Sequence, residues 1–543
     1  MTKYFIGIDT GGTYTDAVLM DFGSNQVLHW TKKPTTHHDL SIGVGQALEA
    51  LFKQKIKPEQ VSGIAVSTTL ATNAVVEGQG ARVGLFVVGY VRHFKLPVVA
   101  NIFLKGGHDI MGKEEEPLDL EGLIDTLQGL KNEVDSYAVC AAMSIQNPTH
   151  ELVAKEAISI IDPKPVFCSH QVSSHAGMQE RAATACMHAK LMPLMVDFLS
   201  SIQRSMLQVG LNCPVTIICG NGKGASLDET VDRAAITMAS GPAATARFGS
   251  TVGEQTALII DVGGTTTDIC MIKDARPVMN ENGCRIGRWQ THVQAVDMYT
   301  AGGGGDSHVT CKPDGSIALA STRVQPLAMT PDLPDPGGWL GCGLQDALVF
   351  LAPGLTTEQI AEDPLLAFLK QHGPATPETL ARETKVSGIA LEKRLERLVF
   401  LQQITLTGFT PTDALHVVRG LTLGNEGLAR AGAEALADRL DTDSEAFCKQ
   451  VIKTTEEAIE TMILDYLGSA VWGGQKATPF LDKRDNDLFL LSFSLKLPII
   501  GIGAAARYFL PGIAEKLATT VAFPKYYEVG NAIGAALIGS EKL

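Results

Sequence analysis

The chain has 543 residues, of which 45 are lysine or arginine and 59 are aspartate or glutamate, so its formal net charge is −14. A composition with 45% hydrophobic and 19% charged residues is globular and excludes long disordered segments. The acidic balance, without a basic run, argues against nucleic acid or an anionic membrane as the main partner. No apolar stretch approaches the roughly 20 residues of a transmembrane helix. At about 150 residues per domain, the length predicts three or four domains, or two large ones.

The opening segment and the cysteines predict the compartment. Residues 1–9 lead directly into a strand-like run and lack the apolar core of a signal peptide. The ten cysteines include no C-x-x-C pair, and several lie in apolar runs such as residues 137–140, which is typical of reduced, buried thiols. We therefore expect a cytoplasmic protein with no membrane partner.

The first elements of the chain predict a β-hairpin. Residues 3–8 are an apolar run, residues 9–16 read D-T-G-G-T-Y-T-D, and residues 17–20 are apolar again. Two short strands joined by a glycine-rich turn form such a hairpin. The elements predicted next are a helix at 40–52, strands at 64–66, 83–88 and 137–143, and a long alanine-rich helix at 179–199. The alternation of strands and helices predicts an α/β fold.

A second hairpin repeats the first. Residues 256–260 and 269–272 are apolar runs, and the segment between them, residues 261–268, reads D-V-G-G-T-T-T-D. Both turns therefore follow the pattern D-x-G-G-T-x-T-D. A repeat of this kind predicts two domains of related architecture, each opening on the same hairpin.

The pattern changes after residue 350. Three short helices and then a strand at 404–409 follow in the order of a winged helix, but basic and acidic residues nearly balance, which favours a protein contact or lid over DNA binding. A strand at 497–500, a second at 520–523 and a helix from about residue 531 end the chain. The predicted domains are an N-terminal lobe with the first hairpin at 1–176, a second lobe at 177–350 and 411–543, and a winged-helix-like insertion at 351–410.

The paired turns carry the clearest functional signal. Consecutive glycines let the backbone approach a ligand and direct N–H groups at it, and threonine hydroxyls add donors. Aspartates at both ends of each turn can hold a divalent cation through water. This combination suits a Mg²⁺-bound polyphosphate. A tight structural hairpin would explain one copy, whereas two near-identical copies favour ligand binding. The P-loop and the Rossmann glycine pattern are both absent.

Two such hairpins and a late Gly-x-Gly-Ala segment resemble the phosphate-1, phosphate-2 and adenosine elements of the actin, sugar-kinase and Hsp70 superfamily. More narrowly, the chain resembles the hydantoinase A and 5-oxoprolinase family. This resemblance implies a two-lobed actin-like ATPase architecture of the ribonuclease H-like type, with the nucleotide bound between the lobes. The segments that carry it are Gly7–Asp16, Ser67–Asn73, Gln179–Arg181, Ser240–Ala243, Ala301–Gly305, Pro411–Ala414 and Gly501–Ala504.

The resemblance also implies an activity. ATP-dependent members of the family phosphorylate the carbonyl oxygen of a cyclic amide such as a hydantoin, 5-oxoproline or a lactam, and water or a carboxylating partner completes the reaction. It further implies ATP and Mg²⁺ as cofactors and a B-type hydantoinase subunit as a partner. Two other hypotheses stay open: a non-catalytic regulatory nucleotide-binding partner, and a small-molecule kinase that releases a stable phosphorylated product.

The same resemblance assigns residues to the nucleotide. Asp9 and Asp261 are the predicted catalytic residues and hold Mg²⁺ through water. One of them organises the metal and the other the nucleophile, and the sequence leaves open which does which. The predicted nucleotide-binding residues are Gly11, Gly12, Thr13, Thr15, Gly263, Gly264, Thr265, Thr266, Gly501, Gly503 and Ala504.

The candidate substrate residues each have a structural alternative. The segment from Ser67 to Asn73 can cap a helix, and Glu180 and Arg181 can form an ion pair within a helix. Asp297 and His308, which flank the glycine run, can be polar groups that support a loop. Further histidines are candidate metal ligands, namely His108 after a glycine pair, and His170 with His175. The predicted substrate residues are Ser67, Thr68, Thr69, Asn73, Glu180, Arg181, Asp297 and His308.

Overall fold

The chain folds into two compact units that each combine distant parts of the sequence. In this computed structural model the first unit comprises Met1–Thr256, Cys270–Met298 and Val529–Leu543, and the second comprises Ala257–Ile269 and Tyr299–Glu528. The described residues are 3–36, 40–53, 56–76, 80–89, 94–264, 266–280, 283–286, 289–312, 314–341, 346–386, 388–400, 403–422, 424–468, 471–472, 476–481, 484–488 and 490–541.

The main sheet of the first unit is centred on the first hairpin. Tyr4–Thr10 and Tyr14–Asp21 pair antiparallel with Asp9 opposite Asp16, which confirms the predicted hairpin. Tyr4–Thr10 also runs parallel to Val61–Thr68, and this register places Ser67 opposite Asp9. From edge to edge the strands are Gly224–Ala225, Val215–Ile218, Val61–Thr68, Tyr4–Thr10, Tyr14–Asp21 and Val27–Pro34.

A second sheet in this unit is parallel throughout. One of its two inner strands, Val83–Val88, is buried along its whole length, as expected for a parallel strand covered on both faces. The next strand in sequence lies on one side of Val83–Val88, and the two strands after it lie on the other side. The direction in which strands are added to the sheet therefore changes between Val83–Val88 and Ser136–Ala141. In spatial order the strands are Ala100–Leu104, Val83–Val88, Ser136–Ala141 and Val166–Cys168.

A long helix, Met178–Gln208, packs on the hydrophobic core of the first unit through Leu191, Met195 and Phe198. Because its buried face belongs to this core, residues 177–256 fold with the first hairpin, whereas the sequence analysis drew a boundary after residue 176. The other α-helices of the unit are Leu40–Phe52, Leu70–Val76, Leu120–Leu130, Thr149–Ile161, Ser169–Val172, Leu227–Asp232, Ser240–Gly249 and Gly530–Ser540, and its remaining short strands are Arg276–Pro277, Met279–Asn280, Arg285–Ile286, Trp289–Gln290 and Ala295–Val296.

The C-terminal helix, Gly530–Ser540, lies directly on the main sheet of the first unit. A Cβ added at Gly7 would stand 2.0 Å from the carbonyl oxygen of Ala532, and one added at Gly539 would stand 2.4 Å from the Cβ of Ala65. Glycine at these two positions therefore permits a close approach of helix and strand. This packing explains why residues 529–543 fold with the first hairpin and not with the second lobe predicted for them.

The second unit is built on the second hairpin. Ala257–Val262 runs parallel to Ile499–Ile502, and the register places Asp261 opposite Ile502. The strands follow the order Thr266–Lys273, Ala257–Val262, Ile499–Ile502 and Val521–Ala522, and the first of them belongs to this unit as far as Ile269. Further elements are the strands Met298–Gly302, Ser307–Cys311, Ile317–Arg323 and Gln325–Pro326 and the α-helices Pro411–Arg419, Glu426–Arg439, Ser444–Gly468, Thr478–Leu481 and Ala506–Lys516.

The predicted insertion has a core of its own within the second unit. Leu366, Leu380 and Leu398 are buried together, and Asp363 and Thr376 cap two of its helices through their side chains. The predicted order of helices and strand is present, and an antiparallel strand pair flanks it. Its elements are Ala347–Leu351, Thr357–Ala361, Pro364–His372, Pro377–Thr384, Ile389–Phe400 and Ile404–Gly408.

The structure also bears on the expectations about thiols and membranes. Nine cysteines lie in the described residues and all nine are free thiols, whereas Cys342 lies outside the described residues. In the part of the chain that the structure describes, none of the helices combines the length and the apolar character needed to span a membrane.

Candidate nucleotide and substrate sites

The first hairpin turn presents its glycines at the surface of its unit. The N–H of Gly11 donates to the carbonyl oxygen of Tyr14 over 2.9 Å and closes the turn, and Gly11, Gly12 and Thr13 are all partly exposed. Thr15 differs, because it is buried and its hydroxyl lies 3.1 Å from that of Thr35. Thr15 therefore supports the turn, whereas Gly11, Gly12 and Thr13 are accessible to solvent in part.

Asp9 ends the first strand of this hairpin and is only 4% exposed. The Ser67 hydroxyl donates to its Oδ1 over 2.6 Å, and the Asn531 amide donates to its Oδ2 over 3.4 Å. Burial raises the pKa of Asp9 above its ordinary value, against the opposing effects of the two hydrogen bonds and of Lys32. The carboxyl group is thus held in a fixed orientation and binds a proton more readily than a free aspartate.

Asn531 is a candidate site residue that the sequence analysis missed. Its side chain carbonyl accepts a hydrogen bond from the Thr245 hydroxyl over 2.5 Å, which fixes the amide so that its NH₂ group faces Asp9. It lies in the first turn of the C-terminal helix, 522 residues after Asp9. No local sequence pattern predicts this contact, because Asn531 meets Asp9 only through the packing of the C-terminal helix on the sheet.

Thr68 joins the predicted substrate loop to the rest of the first unit. Its N–H donates to the Ser240 hydroxyl over 3.0 Å, and that hydroxyl donates back to the Thr68 carbonyl over 2.7 Å. The Thr68 hydroxyl accepts from the N–H of Leu70 over 3.0 Å at the start of a helix, so this residue acts as a cap. Thr69 is half-buried, and the side chain of Asn73 lies outside the described residues.

The second hairpin turn is closed in the same way as the first. The N–H of Gly263 donates to the carbonyl oxygen of Thr266 over 3.0 Å, and Gly263, Gly264 and Thr266 are partly exposed. Asp261 stands at the end of its strand and is 8% exposed, which matches the position of Asp9 in the first unit. Thr265, the remaining predicted residue of this turn, lies outside the described residues.

The glycine run that follows in sequence is bound to this second turn. The N–H of Gly305 donates to the Gly263 carbonyl over 3.0 Å, and the N–H of Asp306 donates to the Gly264 carbonyl over 2.7 Å. The Thr412 hydroxyl in turn donates to the Gly305 carbonyl over 2.7 Å. The end of the glycine run therefore fixes the second turn through the carbonyl oxygens of Gly263 and Gly264.

Gly503 lies against the carboxyl group of the second hairpin. It has φ +87°, and a Cβ added there would stand 2.4 Å from Asp261 Oδ1. Gly501 is buried within its strand, where an added Cβ would stand 2.5 Å from a ring carbon of Phe523, so it serves packing. Ala504 is exposed. Of the predicted adenosine residues, Gly503 is thus the one that lies against Asp261.

We expect Gly503→Ala to lower ATP turnover by at least about 10-fold, because the new methyl group displaces Asp261 and the carbonyl of Val262, 2.5 Å away. The measurement is phosphate release at saturating ATP. Gly315→Ala is the matched control, since Gly315 has φ +80° in the same unit and no heavy atom within 4 Å of its added Cβ. Equal activity of both variants would contradict the role of Gly503.

Of the two predicted substrate residues that flank the glycine run, Asp297 belongs to the first unit and His308 to the second. Asp297 is half-buried, and its N–H donates to the Val278 carbonyl over 2.8 Å. His308 is buried with its Nε2 2.9 Å from the carbonyl oxygen of Asp346, and burial lowers its pKa. Packing within the second unit accounts for the place of His308.

Arg181 is fully buried and bonds across the first unit, not to its neighbour Glu180. One guanidinium nitrogen donates to the hydroxyls of Ser144 and Ser169 over 2.5 and 2.6 Å. The other donates to the carbonyl oxygen of Ala141 over 3.1 Å. Arg181 therefore ties the start of the long helix to the carboxyl ends of the parallel strands, where α/β proteins bind ligands.

Glu151 is the buried carboxylate that accompanies Arg181, 3.9 Å from its guanidinium group. It accepts hydrogen bonds from the Ser169 hydroxyl over 2.5 Å and the Ala141 N–H over 2.8 Å, and His170 Nδ1 lies 2.5 Å from its other oxygen. Burial raises the pKa of Glu151, but the hydrogen bonds outweigh it and the pKa lies below its usual value. Sequence reasoning missed Glu151, since nothing near residue 151 marks it.

The chain resembles known proteins in both structure and sequence. Its structure aligns with that of nucleotide-free acetone carboxylase at a TM-score of 0.72, with 17% sequence identity, over 99% of this chain and 70% of that chain. The mixed α/β architecture and the paired glycine-rich hairpins thus define a protein of the actin-like ATPase fold, as predicted.

Sequence comparison identifies the family. The profile "Hydantoinase/oxoprolinase N-terminal region" matches residues 5–161, and the profile "Hydantoinase/oxoprolinase" matches residues 181–332. The chain belongs to the hydantoinase/oxoprolinase family.

Two curated relatives show how far the similarity extends. The caprolactamase subunit alpha of Pseudomonas jessenii is 27% identical over 56% of this chain and 48% of its own length. The acetophenone carboxylase gamma subunit of Aromatoleum aromaticum is 29% identical over 56% of this chain and 47% of its own length. The chain spans about half the length of the curated relatives it matches.

Proposed function

We propose that the chain is an ATP-dependent cyclic amidohydrolase, or the ATP-binding subunit of one, that phosphorylates the carbonyl oxygen of a hydantoin, 5-oxoproline or a lactam. The observation that supports it most directly is the repeated arrangement of a buried aspartate, Asp9 or Asp261, at the end of a strand before an exposed glycine pair. The names of the relatives, a caprolactamase subunit and an acetophenone carboxylase subunit, support activation of a carbonyl compound.

In this proposal the two turns bind the polyphosphate through backbone N–H groups. Gly11, Gly12 and Thr13 in the first turn, and Gly263, Gly264 and Thr266 in the second, lie on partly exposed backbone, which suits an anion that must enter from solvent. Fixed donors of this kind stabilise the charge that develops on a transferring phosphoryl group.

The two aspartates have different roles in this proposal, one with the metal and the other with the nucleophile. Carboxylate oxygens completed by water are the ligands that Mg²⁺ prefers, and both side chains fit that requirement. When bound, the ion would neutralise phosphate charge. Asp9 accepts hydrogen bonds from Ser67 and Asn531, and its pKa is raised. We therefore assign to Asp9 the orientation of the attacking water, whose proton Oδ2 accepts. Asp261 then holds the metal through water.

The proposed reaction balances with ATP and two water molecules. The carbonyl oxygen of the cyclic amide attacks the γ-phosphorus, and the bond to the β-phosphate oxygen breaks and releases ADP. Water adds to the phosphorylated carbon, and the C–N bond breaks with proton transfer to nitrogen. A second water cleaves the resulting acyl phosphate and gives a carboxylate and inorganic phosphate.

We further propose a partner chain and a compartment. The curated relatives are named as subunits, which supports a partner such as a B-type hydantoinase subunit. The free thiols among the described cysteines support a reducing compartment such as the cytoplasm.

The test is a screen of ATP-dependent phosphate release over hydantoins, 5-oxoproline and simple lactams, with and without a B-type subunit encoded by a neighbouring gene. Phosphate release that depends on one of these compounds, together with the ring-opened product, supports the proposal. A stable phosphorylated product would establish the kinase instead. Nucleotide binding without turnover in every combination would establish the regulatory protein.

The insertion offers a separate prediction, since it has its own core and its ends are adjacent. The N–H of Ala352 donates to the carbonyl oxygen of Gln403 over 2.9 Å, so residues 353–402 can be replaced by a short glycine linker. We expect the shortened chain to bind ATP within about threefold of the full chain, measured by calorimetry, because all predicted nucleotide residues lie outside the deletion. A shortened chain with unchanged circular dichroism that no longer binds ATP would contradict this expectation.

A further inference from the structure

A pair of histidines in the first unit has the spacing of metal ligands. The ring centres of His175 and His292 are 4.9 Å apart, with the ring planes at 48°. A zinc ion lies about 2.1 Å from an imidazole nitrogen and therefore about 3.2 Å from the ring centre. Two imidazoles that share such an ion at about 100° have ring centres roughly 5 Å apart. The observed separation agrees with that value before any ion is added.

Ser173 holds one of these rings in the required orientation. Its hydroxyl oxygen lies 2.7 Å from His292 Nδ1 and accepts a hydrogen bond from the backbone N–H of His175 over 3.2 Å. In the tautomer in which Nδ1–H donates to this oxygen, the Nε2 lone pair of His292 is available to a metal. Metal-binding histidines in proteins usually have such a partner on the second nitrogen.

A carboxylate lies on the same side of the cluster. Both Glu180 and His292 lie against Gly177, where an added Cβ would stand 2.6 Å from Glu180 Oε2 and 3.4 Å from His292 Cε1. Glycine at this position leaves room for the two side chains to converge. Glu180 has three rotatable side-chain bonds, so its carboxylate can turn toward an ion between the rings.

Access and charge also suit a cation. His175 is exposed, and His292 and Glu180 are half-buried, so an ion can enter from solvent and then lose part of its water. The guanidinium group of Arg181 donates to the hydroxyls of Ser144 and Ser169 and is accompanied by the carboxylate of Glu151.

We propose that His175, His292 and Glu180 form a site for a divalent transition-metal ion of the zinc class. Two imidazoles and one carboxylate make a ligand set that leaves coordination positions open for water or a ligand. The site is separate from the two phosphate hairpins and does not rest on the proposed function. The ion would join the segment before the long helix to the segment around residue 292, which are distant in sequence.

A second cluster in the same unit is a poorer candidate, although its ligand atoms are closer together. Atoms of Glu151, Cys168 and His170 lie within 4.8 Å of one another. The Glu151 oxygens already accept several hydrogen bonds, and the guanidinium group of Arg181 is 3.9 Å away. Burial also raises the pKa of Cys168 to about 12, which disfavours the thiolate that a metal needs.

The experiment measures Zn²⁺ binding to the full chain after removal of metal by a chelator. We expect one equivalent of zinc by equilibrium dialysis and elemental analysis, and a Co²⁺ absorption band in the visible range when cobalt is the probe. His175→Ala and His292→Ala should each weaken zinc binding by at least about 100-fold, and Glu180→Gln and Ser173→Ala by about 10-fold or more. Circular dichroism of each variant verifies the fold.

Two control variants make the assignment specific. His372→Ala removes an exposed histidine of the second unit, and His170→Ala removes a ligand of the alternative cluster, so both should bind zinc like the unmodified chain. Loss of binding in His170→Ala with full binding in the folded His175→Ala variant would assign the metal to the other cluster and overturn the proposal. Absence of stoichiometric zinc at micromolar free metal in the unmodified chain would also overturn it.

Discussion

Asp9→Asn and Asp261→Asn should each lower ATP turnover by at least about 100-fold, since each removes the charge of a carboxylate that holds a metal or orients a nucleophile. The substitution keeps the size of the side chain, so the loss reports on charge and not on packing. In the first unit the amide also disturbs the bond from Ser67, which is only 2.6 Å long. Steady-state phosphate release, with ATP binding measured separately, distinguishes lost turnover from lost affinity.

Each unit supplies a matched control for this pair. Asp21 ends the second strand of the first hairpin, where it accepts hydrogen bonds from Gly23 and Ser24 at the surface. Asp314 has a comparable exposed position beside Ser316 in the second unit. Asp21→Asn and Asp314→Asn should retain nearly full activity. Near-normal turnover in both Asp9→Asn and Asp261→Asn would refute the assignment of the hairpins to the nucleotide.

Arg181→Met should lower the stability of the first unit by about 3–5 kcal/mol, because it removes the guanidinium charge that lies 3.9 Å from the buried carboxylate of Glu151. The hydroxyls of Ser144 and Ser169 also lose their donor in the same interior. Urea denaturation followed by far-ultraviolet circular dichroism measures the change. Arg204→Ala, an exposed position on the same helix, should change the free energy of unfolding by less than about 0.5 kcal/mol.

A double substitution separates the ion pair from simple loss of packing. If the cost of Arg181→Met comes from an uncompensated charge, adding Glu151→Gln should recover part of the lost stability, since the partner is then neutral. Cavity formation alone would make the two effects add. An additive result would therefore contradict the assignment of the energy to the pair of charges.

The hairpins and most of the elements could be predicted because their signals are local. Residues 3–8 and 17–20 are apolar, and the glycines between them leave few conformations other than a turn. The helix at 40–52 and the strand at 83–88 have the bounds that their apolar runs predict. The same local pattern places Asp9 and Asp261, which remain predicted site residues, next to the last residue of a buried strand.

The remaining parts of the site depend on contacts between distant residues. Asn531 meets Asp9, and Glu151 meets Arg181, only after sheets and helices have packed. The unit boundary predicted after residue 176 differs from the observed one for the same reason, because the long helix packs on the core of the first unit. A helix carries no local mark of the core on which its apolar face packs.

The position of the C-terminal helix has a consequence for biosynthesis. The strand that contains Asp9 is made early, yet the helix that covers it, with Asn531, follows 522 residues later. At about 5–20 residues per second, a ribosome needs roughly 30–100 s to supply it. During that interval the sheet face around Gly7 and Ala65 has no cover, so the nascent first unit is a natural client for a chaperone that shields apolar surface until translation passes residue 540.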